Sequence, residues 1–210
     1  MNSKTVIIVS GLPRSGTSMM MKMLQAGGIP VLTDERRRAD PDNPKGYYEF
    51  ERVKQLEQDT TWLKDATGKA VKVISALLPK LPPDYTYKIV FMLRNMQEVL
   101  ASQRQMLIRR REPTDRVSDQ KIARAFEKHL ARVRRWAESQ PNIDILYVDY
   151  AQVLQDPAGQ ANAINQFLDH TLDAANMAGV VDANLYRQRA QRTKVQKHAS
   201  FDKDRIEIII

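Results

Sequence analysis

Residues Gly11-Leu-Pro-Arg-Ser-Gly-Thr-Ser18 follow the apolar run Val6–Ser10 and lead into a stretch with helical period. Glycines let such a loop turn tightly with its N–H groups pointing inward, and a helix start adds partial positive charge. That combination holds phosphate or sulfate. The plainer reading of the same residues is an ordinary strand-to-helix turn, which often carries Gly and Ser. A triphosphate-binding loop has Lys directly after its second glycine, where it reaches the β and γ phosphates. Here Thr17 stands at that place and the loop's cation is Arg14. The loop suits a different anion. The chain has no cysteine, which excludes disulfides, thiolate metal sites and thiol catalysis.

A loop of this kind needs a sheet behind it. Strand-like apolar runs recur at Val6–Ser10, Val71–Ile74, Ile89–Leu93 and Ile143–Val148, several of them separated by helical stretches. They predict a single α/β domain with a central parallel β-sheet flanked by helices, of the P-loop nucleotide-binding type. The clearest helix spans about 119–139, with Ile122, Phe126, His129 or Leu130, Val133 and Trp136 on one stripe. A second runs from about Ser18 to Ala26 and closes at Gly27-Gly28. A third, about Pro157–Leu168, starts after Asp156 as N-cap. Residues 34–47 read as a polar loop near an opening, and 109–118 as an exposed connection. The domain is taken as 1–210, with about 183–210 unassigned; its ending, Ile-Glu-Ile-Ile-Ile, suits an edge strand or a partner contact.

Pro13-Arg14-Ser15-Gly16-Thr17-Ser18 resembles the 5′-phosphosulfate loop, P-[KR]-S-G-T-[ST], of the sulfotransferases that use 3′-phosphoadenosine-5′-phosphosulfate (PAPS). That family also ends a buried strand with an Arg and, eight residues on, a Ser, which together grip the 3′-phosphate. Arg94 and Ser102 stand at that spacing after Lys-Ile-Val-Phe-Met-Leu93. Tyr147-Val-Asp-Tyr-Ala-Gln-Val-Leu-Gln-Asp-Pro157 resembles a third family segment and aligns Tyr150 with a tyrosine near the adenosine end of the cofactor. Asn43 to Glu49 is similar to an acceptor-side segment of bacterial members. The resemblance covers about residues 5–170.

It implies transfer of a sulfuryl group from PAPS to a hydroxyl or amine of a small-molecule or glycan acceptor, leaving adenosine 3′,5′-bisphosphate. Positioning and charge stabilisation would carry the reaction, with no metal required. Arg14 would meet the 5′-phosphate, Lys72 the sulfuryl group, and Ser15, Gly16, Thr17 and Ser18 would complete the cradle. Three departures stand out. Met19 replaces a Trp that stacks on adenine in cytosolic animal members. Lys72-Val73-Ile74 lacks the catalytic His found two residues after the lysine. The C-terminal Arg-Lys-Gly loop is not recognisable, although Arg187, Arg189, Arg192 and Lys194 lie in roughly that region. A base must still take the acceptor's proton. Glu49 is the choice, with Asp34 and Glu35 as alternatives; a helix-start acid is the competing role for Glu49. His129, His170 and His198 read as structural or surface residues.

The 210 residues are 42% hydrophobic and 28% charged, as in ordinary globular proteins. No apolar run approaches the ~20 residues of a membrane span, and the start of the chain does not read as a signal peptide, so a cytoplasmic enzyme is expected. Net charge is +8, and residues 101–140 alone carry eleven Lys and Arg against five Asp and Glu. This segment reads either as steering for a polyanionic cofactor or as a solvated helix face. Two competing functions remain. A P-loop kinase or hydrolase would use Asp149, at the end of an apolar strand, to anchor Mg²⁺. A non-catalytic module would bind anions or nucleic acid through the basic segment, but no interleaved aromatics support stacking on bases, so no nucleic acid is expected. Trp62, Tyr47 and Tyr48 could line an acceptor pocket, with core packing the alternative for Trp62.

Overall fold

The computed structural model describes residues 4–34, 36, 39–40, 43, 46–169, 171–182 and 184. Glu35, His170, His198, the arginines from 187 on, Lys194 and the terminal Ile-Glu-Ile-Ile-Ile lie outside them. Five strands form one parallel sheet: β1 (Thr5–Gly11), β2 (Val31–Leu32), β3 (Ala70–Lys72), β4 (Thr86–Leu93) and β5 (Ile143–Asp149), in the order β2-β3-β1-β4-β5. Seven α-helices accompany them among the described residues: α1 (Thr17–Ala26), α2 (Leu63–Ala66), α3 (Met96–Arg109), α4 (Asp119–Glu138), α5 (Tyr150–Gln155), α6 (Pro157–Phe167) and α7 (Ala174–Gly179). The α/β reading of the sequence holds.

Alternation along β1 explains the three layers. Ile7 and Val9 pack on one face with Met20, Met23 and Leu24 of α1, Val153 of α5, Ile164 of α6 and Met177 of α7. Val6 and Ile8 point to the other face, with Trp62, Leu63, Leu78 and Val133 of α4. A strand buried on both sides must be apolar throughout, which is why β1 was visible in the sequence. Trp62 is fully buried in the second core, edge-on to Phe50 at 5.6 Å, and so does not line a pocket.

Strand β3 ends at Lys72, two residues earlier than Ile74. Val73 still donates its N–H to the Val9 carbonyl at 3.1 Å, but Ile74 already caps a 3₁₀ turn over Ser75–Lys80 and is half exposed. Helix α3 begins at Met96, with the Asn95 side chain accepting from the N–H groups of Gln97 and Glu98. No helix among the described residues is long and apolar enough to cross a membrane.

The chain leaves β1 for one edge of the sheet, returns as β3, and crosses to β4 on the far side of β1. Ligands of open parallel sheets bind at such a switch point, beyond the carboxyl ends of the strands. The loop after β1, Lys72 of β3, Arg94 after β4 and Tyr150 after β5 all lie there.

Candidate active site

A cleft of about 500 Å³ opens at this switch point. Arg14, Gly16, Thr17, Ser18, Glu49, Lys72, Arg94, Ser102 and Tyr150 all line it. Nine of the sequence-predicted site residues, drawn from six parts of the chain, therefore share one cavity.

Backbone geometry accounts for the loop's composition. Gly11 has φ 147° and Gly16 φ 100°, conformations side chains avoid. A Cβ on Gly11 would sit 2.7 Å from the Met92 carbonyl, and one on Gly16 2.4 Å from the Tyr150 ring. Arg14 is itself left-handed at φ 69°. The first backbone bond of α1 runs from Met20 N–H to the Gly16 carbonyl at 3.1 Å, so the N–H groups of Gly16, Thr17 and Ser18 precede the helix ladder. No acidic residue occupies the first turn of α1. Ser15 departs from expectation. Its N–H closes the turn onto the Leu12 carbonyl, and its hydroxyl is 1% exposed beneath the loop with no hydrogen-bond partner, so its side chain does not reach the cleft.

Two arginines converge on the mouth of the loop. Arg14 Nε donates to Ser102 Oγ on α3 at 3.0 Å. Arg94 donates through Nη1 to the Arg14 carbonyl at 2.9 Å and through Nε to Glu98 at 3.0 Å. Its guanidinium carbon lies 4.5 Å from the centre of the Tyr150 ring, a cation–π distance. Tyr150 is therefore held between Gly16 and Arg94. Burial, opposed in part by Arg94, raises its phenol above the usual tyrosine value.

Another wall of the cleft is built by the segment before residue 50. Lys72 Nζ donates to the Tyr47 carbonyl and lies 3.9 Å from Glu49 Oε1. The same carbonyl accepts from Ser18 Oγ at 3.3 Å, Asn43 Nδ2 donates to that hydroxyl at 2.9 Å, and Tyr47 OH donates to Asp40 at 2.8 Å. Glu49 stands two residues ahead of the 3₁₀ turn Glu51–Gln55, so it is not that turn's first acid. Tyr48 turns away and donates to Gln25 Oε1 at 2.8 Å.

Asp34 does not line the cleft. Its Oδ2 accepts from Glu51 N–H at 2.8 Å and its Oδ1 from Arg36 N–H at 3.2 Å. Burial alone would raise its pKa, but these N–H bonds and the Arg36 charge outweigh it and leave it below the usual value. Asp149 is likewise engaged: its Oδ1 accepts from the N–H groups of Ala151 and Gln152 at 2.8 and 3.0 Å, capping α5. Asp149 does not line the cleft, so it is not placed beside the loop as a Mg²⁺ anchor would be. His129, outside the cleft, joins Ser75 at 2.8 Å and Arg132 at 3.3 Å.

Among the described residues, seven cationic side chains line the cleft against two acids, Glu49 and Asp182. Lys22, Arg109 and Arg110 were not singled out as site residues from the sequence. Lys22 lies four residues after Ser18 on one helix face, a spacing that could have found it. Arg109 and Arg110, at the end of α3, are the part of the basic segment that reaches the cleft; Arg104 and Arg134 instead pair with Asp119 and Glu138 at the surface.

The family model described as a sulfotransferase domain matches residues 4–207. The chain belongs to the sulfotransferase family. No curated protein sequence matches it. Among solved structures it is similar to a mouse sulfotransferase complexed with PAP, at 16% identity over 84% of this chain and 62% of that one, with TM-score 0.46. A retinol dehydratase in complex with androsterone and inactive cofactor PAP matches at 15% over 86% and 64%, TM-score 0.47. The sulfotransferase domain of a Synechococcus olefin synthase matches at 14% over 97% and 92%, TM-score 0.48. This sulfotransferase-domain chain thus spans less than two thirds of the first two structures.

Proposed function

We propose that the protein transfers a sulfuryl group from PAPS to a hydroxyl or amine on a small-molecule or glycan acceptor. The observation that carries this reading is the arrangement of Arg94, Arg14 and Ser102. A cation from the end of β4 and a hydroxyl from α3 meet the phosphate loop's own arginine, where a triphosphate loop would have placed a lysine within the helix start. The donor set fits a nucleotide with charge at both its 5′ and 3′ positions, since N–H groups and cations predominate in the cleft.

Arg14 and the N–H groups of Gly16, Thr17 and Ser18 would hold the 5′-phosphosulfate, and Arg94 with Ser102 the 3′-phosphate. Bound PAPS supplies an activated sulfuryl group whose bond to the 5′-phosphate breaks as the acceptor attacks. Lys72 stabilises negative charge beside the sulfuryl position, anchored there by the Tyr47 carbonyl. Glu49 takes the acceptor's proton on a carboxylate oxygen at the same wall of the cleft. Phe50, Val53, Ile74 and Leu77 give the acceptor half an apolar lining.

Calorimetry tests the reading. Adenosine 3′,5′-bisphosphate should bind at least ~10-fold tighter than 5′-ADP, the equivalent of one charge-assisted hydrogen bond. Tighter binding of ATP with Mg²⁺ than of the bisphosphate would replace the sulfotransferase reading with a kinase. A radiolabelled-sulfate screen over sugars, phenols, lipids and peptides then identifies the acceptor.

A further inference from the structure

Glu98 is an anomaly on an anion-binding wall. It sits in the first turn of α3, four residues after Arg94 and four before Ser102, with its side chain only 5% exposed. A buried carboxylate there repels the ligand charge that Arg94 and Ser102 would attract, so it must act on its neighbour. Its Oε2 accepts from Arg94 Nε at 3.0 Å, and the Arg94 side chain is 8% exposed. Two further contacts define the guanidinium: Nη1 reaches the Arg14 carbonyl at 2.9 Å, and the face lies over Tyr150 at 4.5 Å. The Nε bond fixes rotation in the plane, and the ring fixes its tilt. An arginine fork recognises phosphate by the direction of its N–H bonds, so orientation matters as much as charge.

We infer that Glu98 is a positioning residue for 3′-phosphate recognition: it locks the Arg94 guanidinium so that the fork faces the nucleotide's ribose end. The inference rests on the PAPS reading of the cleft. Glu98 touches neither ligand nor reacting atoms in this role; it acts through Arg94. Its place at the start of α3 supports the assignment. The Asn95 cap and the core residues Val99 and Leu100 hold that turn rigidly, so the carboxylate is itself well fixed.

The readout is the ratio of affinities for adenosine 3′,5′-bisphosphate and 5′-AMP, measured by calorimetry on the full chain. Glu98→Ala should lower that ratio about 10-fold, as one lost oriented contact would, while 5′-AMP affinity changes less than about 3-fold. Glu98→Ala combined with Arg94→Ala should show a ratio no lower than that of Arg94→Ala alone, because Glu98 supports recognition only through Arg94. A purely structural role would instead weaken both ligands alike and add to the loss from Arg94→Ala, and either result overturns the inference. Should Glu98→Ala not fold, Glu98→Asp decides. It keeps the charge but draws the oxygens back from Nε by a methylene, and an unchanged ratio in that variant also overturns the inference. Absence of any bisphosphate preference in the wild type is a separate outcome, and it sinks the PAPS reading itself.

Discussion

Arg94 donates to the carbonyl oxygen of Arg14 at 2.9 Å across 80 residues of sequence, so the arginine beyond β4 fastens the left-handed residue of the phosphate loop. The loop after β1 and the segment after β4 are therefore mechanically joined. A ligand that orders one finds the other already held.

This link changes what removal of Arg94 should do. If the residue served only the 3′-phosphate, Arg94→Ala would leave 5′-AMP binding untouched. Because the Arg14 carbonyl also loses its donor, 5′-AMP affinity should fall by several-fold, and bisphosphate affinity by roughly 10–100-fold, the range of a charged hydrogen bond. The variant also removes the Arg94 side of the buried pair with Glu98, and breaking such a pair costs about 3–5 kcal/mol in comparable cases. Calorimetry and thermal unfolding measure both effects. Unaltered 5′-AMP binding would show that the loop does not depend on the link.

Arg14 combines a charge with an unfavourable backbone, and two substitutions separate them. On the role proposed for Arg14, both Arg14→Gly and Arg14→Ala should lower sulfuryl transfer by about 10²-fold or more, since each removes the loop's cation. Their stabilities should differ. At φ 69° a side chain costs roughly 1–2 kcal/mol that glycine avoids, while glycine's looser unfolded chain takes back part of it. Arg14→Gly should therefore be more stable than Arg14→Ala by about 1 kcal/mol in denaturant unfolding. Equal midpoints would mean the loop relaxes when the side chain is lost.

The degree to which this site could be read in advance follows from what each residue type encodes. Strands β1 and β4 were readable because burial forces an apolar run, and β5, an edge strand with only Val148 buried, because Ile143, Ile145, Leu146 and Tyr147 still pack against the two cores. The loop was readable because only glycine serves at positions such as Gly11 and Gly16. Arg94 and Ser102 came from a family spacing. Side-chain direction is another matter. Nothing in the local sequence says that Ser15 turns under its own loop while Ser18 faces the cleft, or that Arg14 reaches Ser102. Glu98 stood at the i,i+4 spacing of a helical ion pair, yet spacing does not distinguish an exposed pair from one closed beneath a ligand site. Asp34 stood as an alternative base because it follows the strand-like run Gly28–Thr33; two backbone N–H groups had already claimed it. Helices α2, α5 and α7, of four to six residues, are too short to show a period.

His129 supplies a pH test away from the chemistry. Burial first, and the Arg132 charge second, lower its pKa below 6.5. Arg132 donates to Nδ1, so Nε2 carries the proton given to Ser75. The folded state thus favours the neutral ring, and the unfolded state binds the proton more readily. Stability from this group is present above pH 6.5 and is lost as pH falls from there toward the depressed folded value. Urea midpoints at pH 7.5 and 5.5 should fall further for the wild type than for His129→Gln, which cannot titrate. Parallel behaviour of the two proteins would refute the assignment.

The sequence offered Glu49 as base with Asp34 and Glu35 as alternatives; Glu35 lies outside the described residues, and the other two occupy different surroundings. Glu49 lines the cleft 3.9 Å from Lys72, whereas Asp34 spends its oxygens on the N–H groups of Glu51 and Arg36. Asp34 also shapes the Glu49 wall of the cleft indirectly, since its own N–H donates to the Glu49 carbonyl at 3.3 Å. Glu49→Gln should therefore lower turnover by about 10²–10⁴-fold, the range of a lost general base, with bisphosphate affinity nearly unchanged. Asp34→Asn should act through position alone, with a larger effect on acceptor KM than on kcat, because it loosens the turn that presents Glu49. Because Lys72 adjoins Glu49, Glu49→Gln should also slacken the Lys72 contact without removing the anchor at the Tyr47 carbonyl, and the sulfuryl-side charge stays in place. Steady-state kinetics with the acceptor found by label transfer give both parameters. If Asp34→Asn abolishes kcat while Glu49→Gln preserves it, the proton goes to Asp34 and the wall is arranged differently during turnover.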